Sequence, residues 1–226
     1  MIHQLIFAAP KPGMSEEDFQ RYWVEVHAVK YASKIPQIRK YLIDTTIPFE
    51  NELWSGVAEI WLRDEKEQLE SLQTPEFLEG ARKDEPTWAA FWRTVVLDTD
   101  AHEIVKGDEL APEAGVKLIV LVKRREGLPL RDFRSHSLGE HADLMSRVPG
   151  LRRYLQCHTR DGYYGIGEAV LDAAYLLSFP DRQALDEALS SAEFAKAQAD
   201  LESFVEPRYI HRLLTREHWI IGPESR

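Results

Sequence analysis

The chain has 226 residues, of which 44% are hydrophobic and 10% aromatic, enough to build packed cores and to exclude intrinsic disorder. Its formal net charge is −10, and residues 1–113 carry all of it because acidic and basic side chains balance in residues 114–226. An acidic chain lacks the basic surface that binds polyphosphates, so we expect neither nucleic acid nor an anionic membrane as a partner.

The sequence also indicates a cellular compartment. No apolar run approaches the roughly 18 residues of a membrane span. Residues 1–4 lead directly into an apolar strand without the basic region of a signal peptide. Cys157 is the single cysteine, which rules out an internal disulfide and fits a reducing compartment. We therefore expect a cytoplasmic protein.

Two copies of one unit make up the chain. At one constant offset, Phe19 aligns with Phe133 and His27 aligns with His141, and after a one-residue gap Tyr41 aligns with Tyr154. A repeat of this length is a whole domain rather than a solenoid unit. We predict one domain over 1–105, a linker over 106–115 and a second domain over 116–221.

Each copy is predicted to run strand, helix, strand, strand, helix, strand. In copy one the apolar and turn patterns place strands at 2–8, 39–44, 56–62 and 94–105, a helix after the cap Ser15, and a helical segment over 64–92 that is broken near Pro75. In copy two they place strands at 116–123, 151–158, 173–179 and 209–221, a helix that ends at Pro149, and a helical segment over 181–205.

This order predicts an α+β fold made of two ferredoxin-like βαββαβ repeats. Both helices of such a repeat cover the same face of its sheet. The other face must also be covered, because the strand residues 118–122 are continuously apolar. We therefore expect the two antiparallel sheets to pack into one α/β barrel with a cavity for a small ligand.

Several segments resemble a known family. Residues 19–28, residues 38–41 and the strand motif 55–61 are similar to the EthD family of the dimeric α/β-barrel superfamily, as are the matching positions around His141 and Tyr154. Copy two departs from the pattern at Ser137, where copy one has Trp23. Related families include cofactor-free monooxygenases, polyketide cyclases, muconolactone isomerase and haem-binding proteins. The resemblance implies a histidine at position 27 that faces a cavity.

His27 is the first candidate for chemistry, and His141 is its counterpart. A histidine exchanges a proton near neutral pH, so each can act as a general acid or base. Phe19, Trp23 and His27 form one helical stripe, so a core histidine is an equally good interpretation. Tyr41 is a third catalytic candidate, because its phenol could orient a substrate oxygen.

The substrate-binding candidates are aromatic. Tyr22, Trp23, Trp61 and Tyr154 would favour a flat aromatic or polyketide-like ligand, although each is also explained as core filling. The sequence has no His-x-x-x-His motif or cysteine pair, and no carboxylate was identified at ligand spacing from the histidines. We therefore predict neither a metal nor an organic cofactor.

These features favour a small-molecule enzyme that works without a cofactor. Histidine acid/base chemistry would support cyclisation, isomerisation, dehydration, or oxygenation through a substrate carbanion. Copy one, which keeps Phe19, Trp23 and His27, is expected to carry the working cavity. Two alternatives remain at this stage, a non-catalytic ligand-binding accessory protein and a haem-binding barrel. Further pairing into a homodimer also stays open.

Overall fold

A computed structural model describes residues 1–50, 53–107, 115–165, 167–222 and 224. The hydrogen-bonded order of its eight strands closes on itself as β1-β3-β2-β8-β5-β7-β6-β4, an antiparallel barrel that confirms the predicted fold class. The strands are β1 Ile2–Ala8, β2 Lys40–Thr46, β3 Gly56–Leu62, β4 Val95–Val105, β5 Val116–Val122, β6 Arg153–Thr159, β7 Ala173–Phe179 and β8 His211–Ile221. Residues 108–114 of the predicted linker lie outside the described residues.

The α-helices follow β1, β3, β5 and β7, in the strand–helix–strand–strand–helix–strand order that the sequence predicts for each copy. Within the described residues, no helix combines the length and the apolar character needed to cross a membrane. The α-helices are Glu16–Tyr22, Ala28–Lys30, Glu65–Ser71, Arg82–Asp84, Leu130–His136, Ala142–Ser146, Arg182–Leu189 and Ala192–Phe204. The π-helical segments are Trp23–His27, Glu76–Ala81 and Ser137–His141, and the 3₁₀ turns are Ala32–Lys34, Glu85–Thr87, Phe91–Arg93, Asp161–Tyr164 and Pro207–Tyr209.

The chain divides into two compact units. Unit 1 comprises Met1–Thr99 and Thr215–Arg226, and unit 2 comprises Asp100–Leu214. The strands β4 and β8 have 11 residues each and continue from one unit into the other, whereas the other strands have 7. Each unit therefore includes the end of a strand that belongs to the other repeat.

A glycine turn introduces the first helix of each unit. Gly13 has φ of 86° and Gly127 has φ of 81°, in the left-handed region that only glycine adopts without strain. The helix that follows in unit 1 begins at the predicted cap, since the Ser15 hydroxyl accepts a hydrogen bond from the Asp18 amide.

In unit 1 the helices pack on the sheet through a large aromatic side chain. Trp23 of the first helix lies at a ring distance of 5.4 Å from Phe19 and 5.1 Å from Trp88. The sheet provides room for it with Gly56 and Ala58. Helix and sheet therefore interlock as a large residue against small ones.

Unit 2 fills the equivalent layer in the opposite way. Ser137 stands where unit 1 has Trp23, and Tyr175 stands where unit 1 has Ala58. The two side chains meet in a hydrogen bond of 2.7 Å between Ser137 Oγ and the Tyr175 hydroxyl, and both residues are buried. The volume is conserved by exchanging the sizes of the two partners, which a packed core tolerates.

His158 lies in the same buried layer of unit 2. Its Nε2 is 3.1 Å from Gln156 Oε1 and 3.3 Å from Ser137 Oγ, and its Nδ1 has no hydrogen-bond partner among the described residues. Burial, together with the neighbouring charges of His102 and Arg134, lowers the pKa of His158 to about 3. The imidazole is therefore neutral at physiological pH.

Replacing Gly56 with alanine should destabilise the protein. A Cβ atom at this position would lie 2.8 Å from the Asp44 carbonyl oxygen and 2.9 Å from a Trp23 ring carbon, so the layer must shift. We expect urea denaturation to show a loss of about 1–3 kcal/mol in the free energy of unfolding. Gly139→Ala is the matched control, because its helical position is exposed with nothing within 4 Å, and it should stabilise by about 0.5–1 kcal/mol. Equal losses in both variants would contradict this packing.

Protonation of His158 should make stability depend on pH. Because its folded-state pKa lies below the ordinary value, the unfolded chain binds more protons, and stability falls as pH drops below about 6.5 toward 3. The contribution of His158 approaches about 1.4 kcal/mol per pH unit. We therefore expect the free energy of unfolding between pH 6.5 and 5 to fall less steeply in His158→Gln than in the wild type. Identical slopes would contradict a neutral buried imidazole.

Candidate functional site

A histidine–carboxylate pair connects the first helix of unit 1 to the helical segments Glu76–Ala81 and Arg82–Asp84. His27 ends the π-helical segment Trp23–His27, and its Nδ1 lies 2.8 Å from Asp84 Oδ2. The Tyr22 hydroxyl donates to the other Asp84 oxygen at 2.8 Å. Both carboxylate oxygens are thus occupied by side chains of the first helix, and His27 and Asp84 are each only 8% exposed.

Unit 2 repeats this arrangement. His141 ends the π-helical segment Ser137–His141, and its Nδ1 lies 2.9 Å from Asp200 Oδ2. His136 Nε2 donates to the other Asp200 oxygen at 2.8 Å, in the place that Tyr22 takes in unit 1. Single π turns occur frequently at functional sites, and here both of them end at the histidine.

The two carboxylates are equivalent although their sequence spacing differs. Asp84 follows Glu76 by one residue more than Asp200 follows the matching Glu193. The segment Glu76–Ala81 is π-helical, whereas the counterpart lies in the regular α-helix Ala192–Phe204. A π turn accommodates one extra residue, so Asp84 keeps the position that faces His27.

Both histidines are held as neutral imidazoles with a defined tautomer. Burial lowers the pKa of His27 and of His141 below the ordinary value, and the hydrogen-bonded carboxylate opposes this only in part. Because a carboxylate can only accept, Nδ1 carries the hydrogen in each ring and Nε2 keeps its lone pair. Each ring is therefore prepared to act as a base through Nε2.

A small cavity lies between the helices and the sheet of unit 2, beside His141. Its volume is about 20 Å³, which accommodates one water molecule. Apolar and aromatic side chains dominate the wall, as is usual for small-molecule sites. The lining residues are Val120, His141, Met145, Tyr154, Tyr175, Leu177, Phe194, Ala197, Gln198, Leu201 and Arg212.

This cavity lies in unit 2, and the equivalent surroundings of His27 in unit 1 are filled by larger rings. In unit 1 the Trp88 ring packs 4.7 Å from the His27 ring, and Trp23 packs against Trp88. In unit 2 the smaller Phe204 takes the position of Trp88, at a ring distance of 5.3 Å from His141. The smaller Phe204 ring leaves more space beside the histidine than Trp88 does in unit 1.

A buried polar network orients Tyr154 at the cavity wall. Gln156 Nε2 donates to the Tyr154 oxygen at 2.8 Å and to the Ser137 carbonyl at 2.7 Å. Gln156 Oε1 accepts from the Ser137 hydroxyl at 2.7 Å, so Tyr175 donates its own hydrogen to Ser137. Burial raises the pKa of the Tyr154 phenol, which stays protonated. Its oxygen already accepts from Gln156, so its hydrogen can bond an acceptor in the cavity.

The structure separates the aromatic candidates of copy one. Tyr41 is buried in the core between helices and sheet, where Trp23 donates a hydrogen bond to it and burial raises its pKa. Trp61 lies on the opposite face of the sheet, since Tyr41 pairs with Ile60 and residues alternate along a strand. There Trp61 stacks between His3 at 4.4 Å and Trp219 at 5.9 Å. His27 and Trp61 therefore do not share a wall.

Five residues of the site did not emerge from the sequence. Neither Asp84 nor Asp200 was identified, because the repeat alignment shifts by one residue between them. The loss of Trp23 in copy two was interpreted as a weaker site, whereas Ser137 anchors the network that positions Tyr154. The remaining two are Gln156 and Tyr175.

Solved structures share this fold at low sequence identity. A candidate monooxygenase from Lactobacillus acidophilus matches with a TM-score of 0.58 and 13% identity, covering 100% of this chain and 97% of its own. An anthrone oxidase-like protein matches with a TM-score of 0.65 and 11% identity over 96% and 92% of the two chains. A candidate monooxygenase from Fusobacterium nucleatum matches with a TM-score of 0.65 and 7% identity over 100% and 95%. At these identities the similarity shows the fold alone.

The sequence comparison gives the family. No curated protein matches the chain. The family model of the EthD domain matches twice, over residues 11–91 and 125–208, and these ranges contain both histidine–aspartate pairs. The chain belongs to the EthD domain family and carries the domain twice.

Proposed function

We propose that the protein is a cofactor-independent enzyme that moves protons on a small aromatic or polyketide-like compound, with His141 as the acid/base group. The observation that carries this proposal is the position of His141. Its ring is fixed by Asp200 at 2.9 Å and lines the same cavity as Tyr154. A base and a hydrogen-bond donor thus face one space, as acid/base catalysis requires.

The reaction would begin with proton abstraction from a carbon next to a carbonyl group. His141 Nε2 takes the proton, and the Asp200 carboxylate stabilises the imidazolium that forms. Tyr154 donates a hydrogen bond to the carbonyl oxygen, and this bond stabilises the enolate oxygen that forms. If His141 returns the proton to another carbon, the product is an isomer. Cyclisation, dehydration and oxygenation by O₂ start from the same enolate.

The lining of the cavity supports an aromatic substrate. Tyr154, Tyr175 and Phe194 offer ring faces and edges to a flat ligand. The names of the structural neighbours agree with this class, since one is described as anthrone oxidase-like and two as candidate monooxygenases. A ligand of that size needs a pocket of about 300 Å³ or more, so the wall must open on binding. Met145 and Gln198 are unbranched wall residues that can change rotamer for this purpose.

Copy one has the same histidine–carboxylate pair, but larger side chains pack around it. Trp88 and Trp23 occupy the space beside His27, and Tyr41 accepts a hydrogen bond from Trp23. We therefore assign His27 and Tyr41 a smaller share in turnover than His141 and Tyr154. We assign His27 a structural role through its hydrogen bond to Asp84.

Removing His141 should slow proton transfer. We expect His141→Gln to slow solvent deuterium uptake by about 10²–10⁴-fold, because a positioned histidine contributes this much to the rate. Mass spectrometry of a panel of anthrones and aromatic 1,3-diketones in D₂O measures this exchange. His27→Gln is the matched control and should keep most of the wild-type rate. An unchanged rate in His141→Gln, with circular dichroism showing a folded protein, would overturn the assignment.

Tyr154→Phe tests the hydrogen-bond donor separately. The variant keeps the ring and loses only the hydroxyl, so we expect the exchange rate to fall by about 10²–10³-fold.

Compounds that bind to the wild type by calorimetry without exchanging would favour the ligand-binding accessory protein instead. An absorbance band near about 400 nm after haem addition would favour the haem-binding alternative.

A further inference from the structure

We propose that unit 2 binds a divalent transition-metal ion, with Zn²⁺ as the best match, between two helices at His136, Glu140 and Asp200. Each of these residues offers one ligand atom, and the three atoms lie within 4.8 Å of one another. His136 and Glu140 are one turn apart on the first helix of the unit, and Asp200 comes from its last helix. The site shares Asp200 with the proposed catalytic pair, but metal binding is measured without any enzymatic activity.

The donor set fits zinc chemistry. One imidazole nitrogen and two carboxylate oxygens are ordinary zinc ligands at about 2.0–2.2 Å, and three protein ligands leave a fourth position for water. The Glu140 side chain is 70% exposed and that of His136 is 30% exposed, so both can rotate toward an ion.

Asp200 is the least exposed of the three ligands. Its side chain is only 11% exposed, and His141 Nδ1 holds one of its oxygens at 2.9 Å. The other oxygen accepts from His136 Nε2 at 2.8 Å, and His136 Nδ1 lies 3.8 Å from Glu140 Oε2. An ion would replace the His136 hydrogen bond and leave Asp200 shared between the metal and His141. Such an outer hydrogen bond is the usual way that a metal ligand is oriented.

The site is particular to copy two. At the equivalent positions unit 1 has Tyr22 and Val26, although it keeps the carboxylate as Asp84. No metal site was predicted from the sequence, although Glu140 stands one helical turn after His136. The third ligand lies far along the chain from His136 and Glu140, so only the packing of the two helices reveals it.

Calorimetric titration of the full chain with Zn²⁺ tests the proposal. We expect one ion per chain in the wild type, and an affinity at least about tenfold lower in His136→Gln and in Glu140→Gln. Glu140→Gln is the variant safest for folding, because its side chain is largely exposed. His211→Gln removes another histidine of unit 2 and should bind like the wild type. Zn²⁺ should also raise the melting temperature of the wild type and of His211→Gln more than that of His136→Gln.

Two results would overturn the site. The first is that the wild type binds no Zn²⁺ at millimolar concentration. The second is that His136→Gln and Glu140→Gln, folded as judged by circular dichroism, bind Zn²⁺ with the stoichiometry and affinity of the wild type. That outcome would place the ion elsewhere in the chain.

Discussion

The buried hydrogen bond between an imidazole and a carboxylate is the constraint on which each unit depends. The pair is His27 with Asp84 in unit 1 and His141 with Asp200 in unit 2. In each unit it joins the two helices that cover one face of the sheet. A carboxylate away from water is costly unless its oxygens are paired, and a second donor from the first helix completes the pairing in both units. The helices cannot slide past each other without breaking two charge-assisted hydrogen bonds.

This constraint explains an irregularity in unit 1. One extra residue separates Asp84 from the start of its helix, and the π turn Glu76–Ala81 absorbs it. The backbone departs from the regular helix so that the carboxylate can keep its partner. The π turn and the hydrogen bond of the pair are therefore linked through the position of Asp84.

The two copies share the histidine–carboxylate pair, but the side chains around it differ in polarity and size. Trp23 makes unit 1 apolar and filled, while Ser137 in unit 2 begins a network that reaches Tyr154 through Gln156. Duplication allows this, because one copy can keep its shape while the other changes its lining. In unit 2 the smaller Phe204 replaces Trp88 beside the histidine, and the Tyr154 phenol, the counterpart of Tyr41, accepts from Gln156 instead of from Trp23.

Much of the fold could be predicted from the sequence. The strands β3 and β7 have the predicted bounds, and the first helix begins after the predicted cap Ser15, because strand periodicity and capping residues are local signals. The histidines were identified through the repeat and the family resemblance. Asp84 and Asp200 were not, since their role depends on helix packing. The alternation of β3 could have separated Trp61 from Tyr41, because neighbouring strand residues face opposite sides.

The role of His141 as a base depends on which ring nitrogen carries the hydrogen. Nitrogen-15 NMR of the histidine side chains at neutral pH, assigned with His141→Gln, distinguishes the two neutral tautomers from imidazolium. We expect a neutral ring with hydrogen on Nδ1 and a free lone pair on Nε2, both for His141 and for His27. A ring protonated on Nε2, or an imidazolium at neutral pH, would contradict it, because neither form offers a base to the cavity.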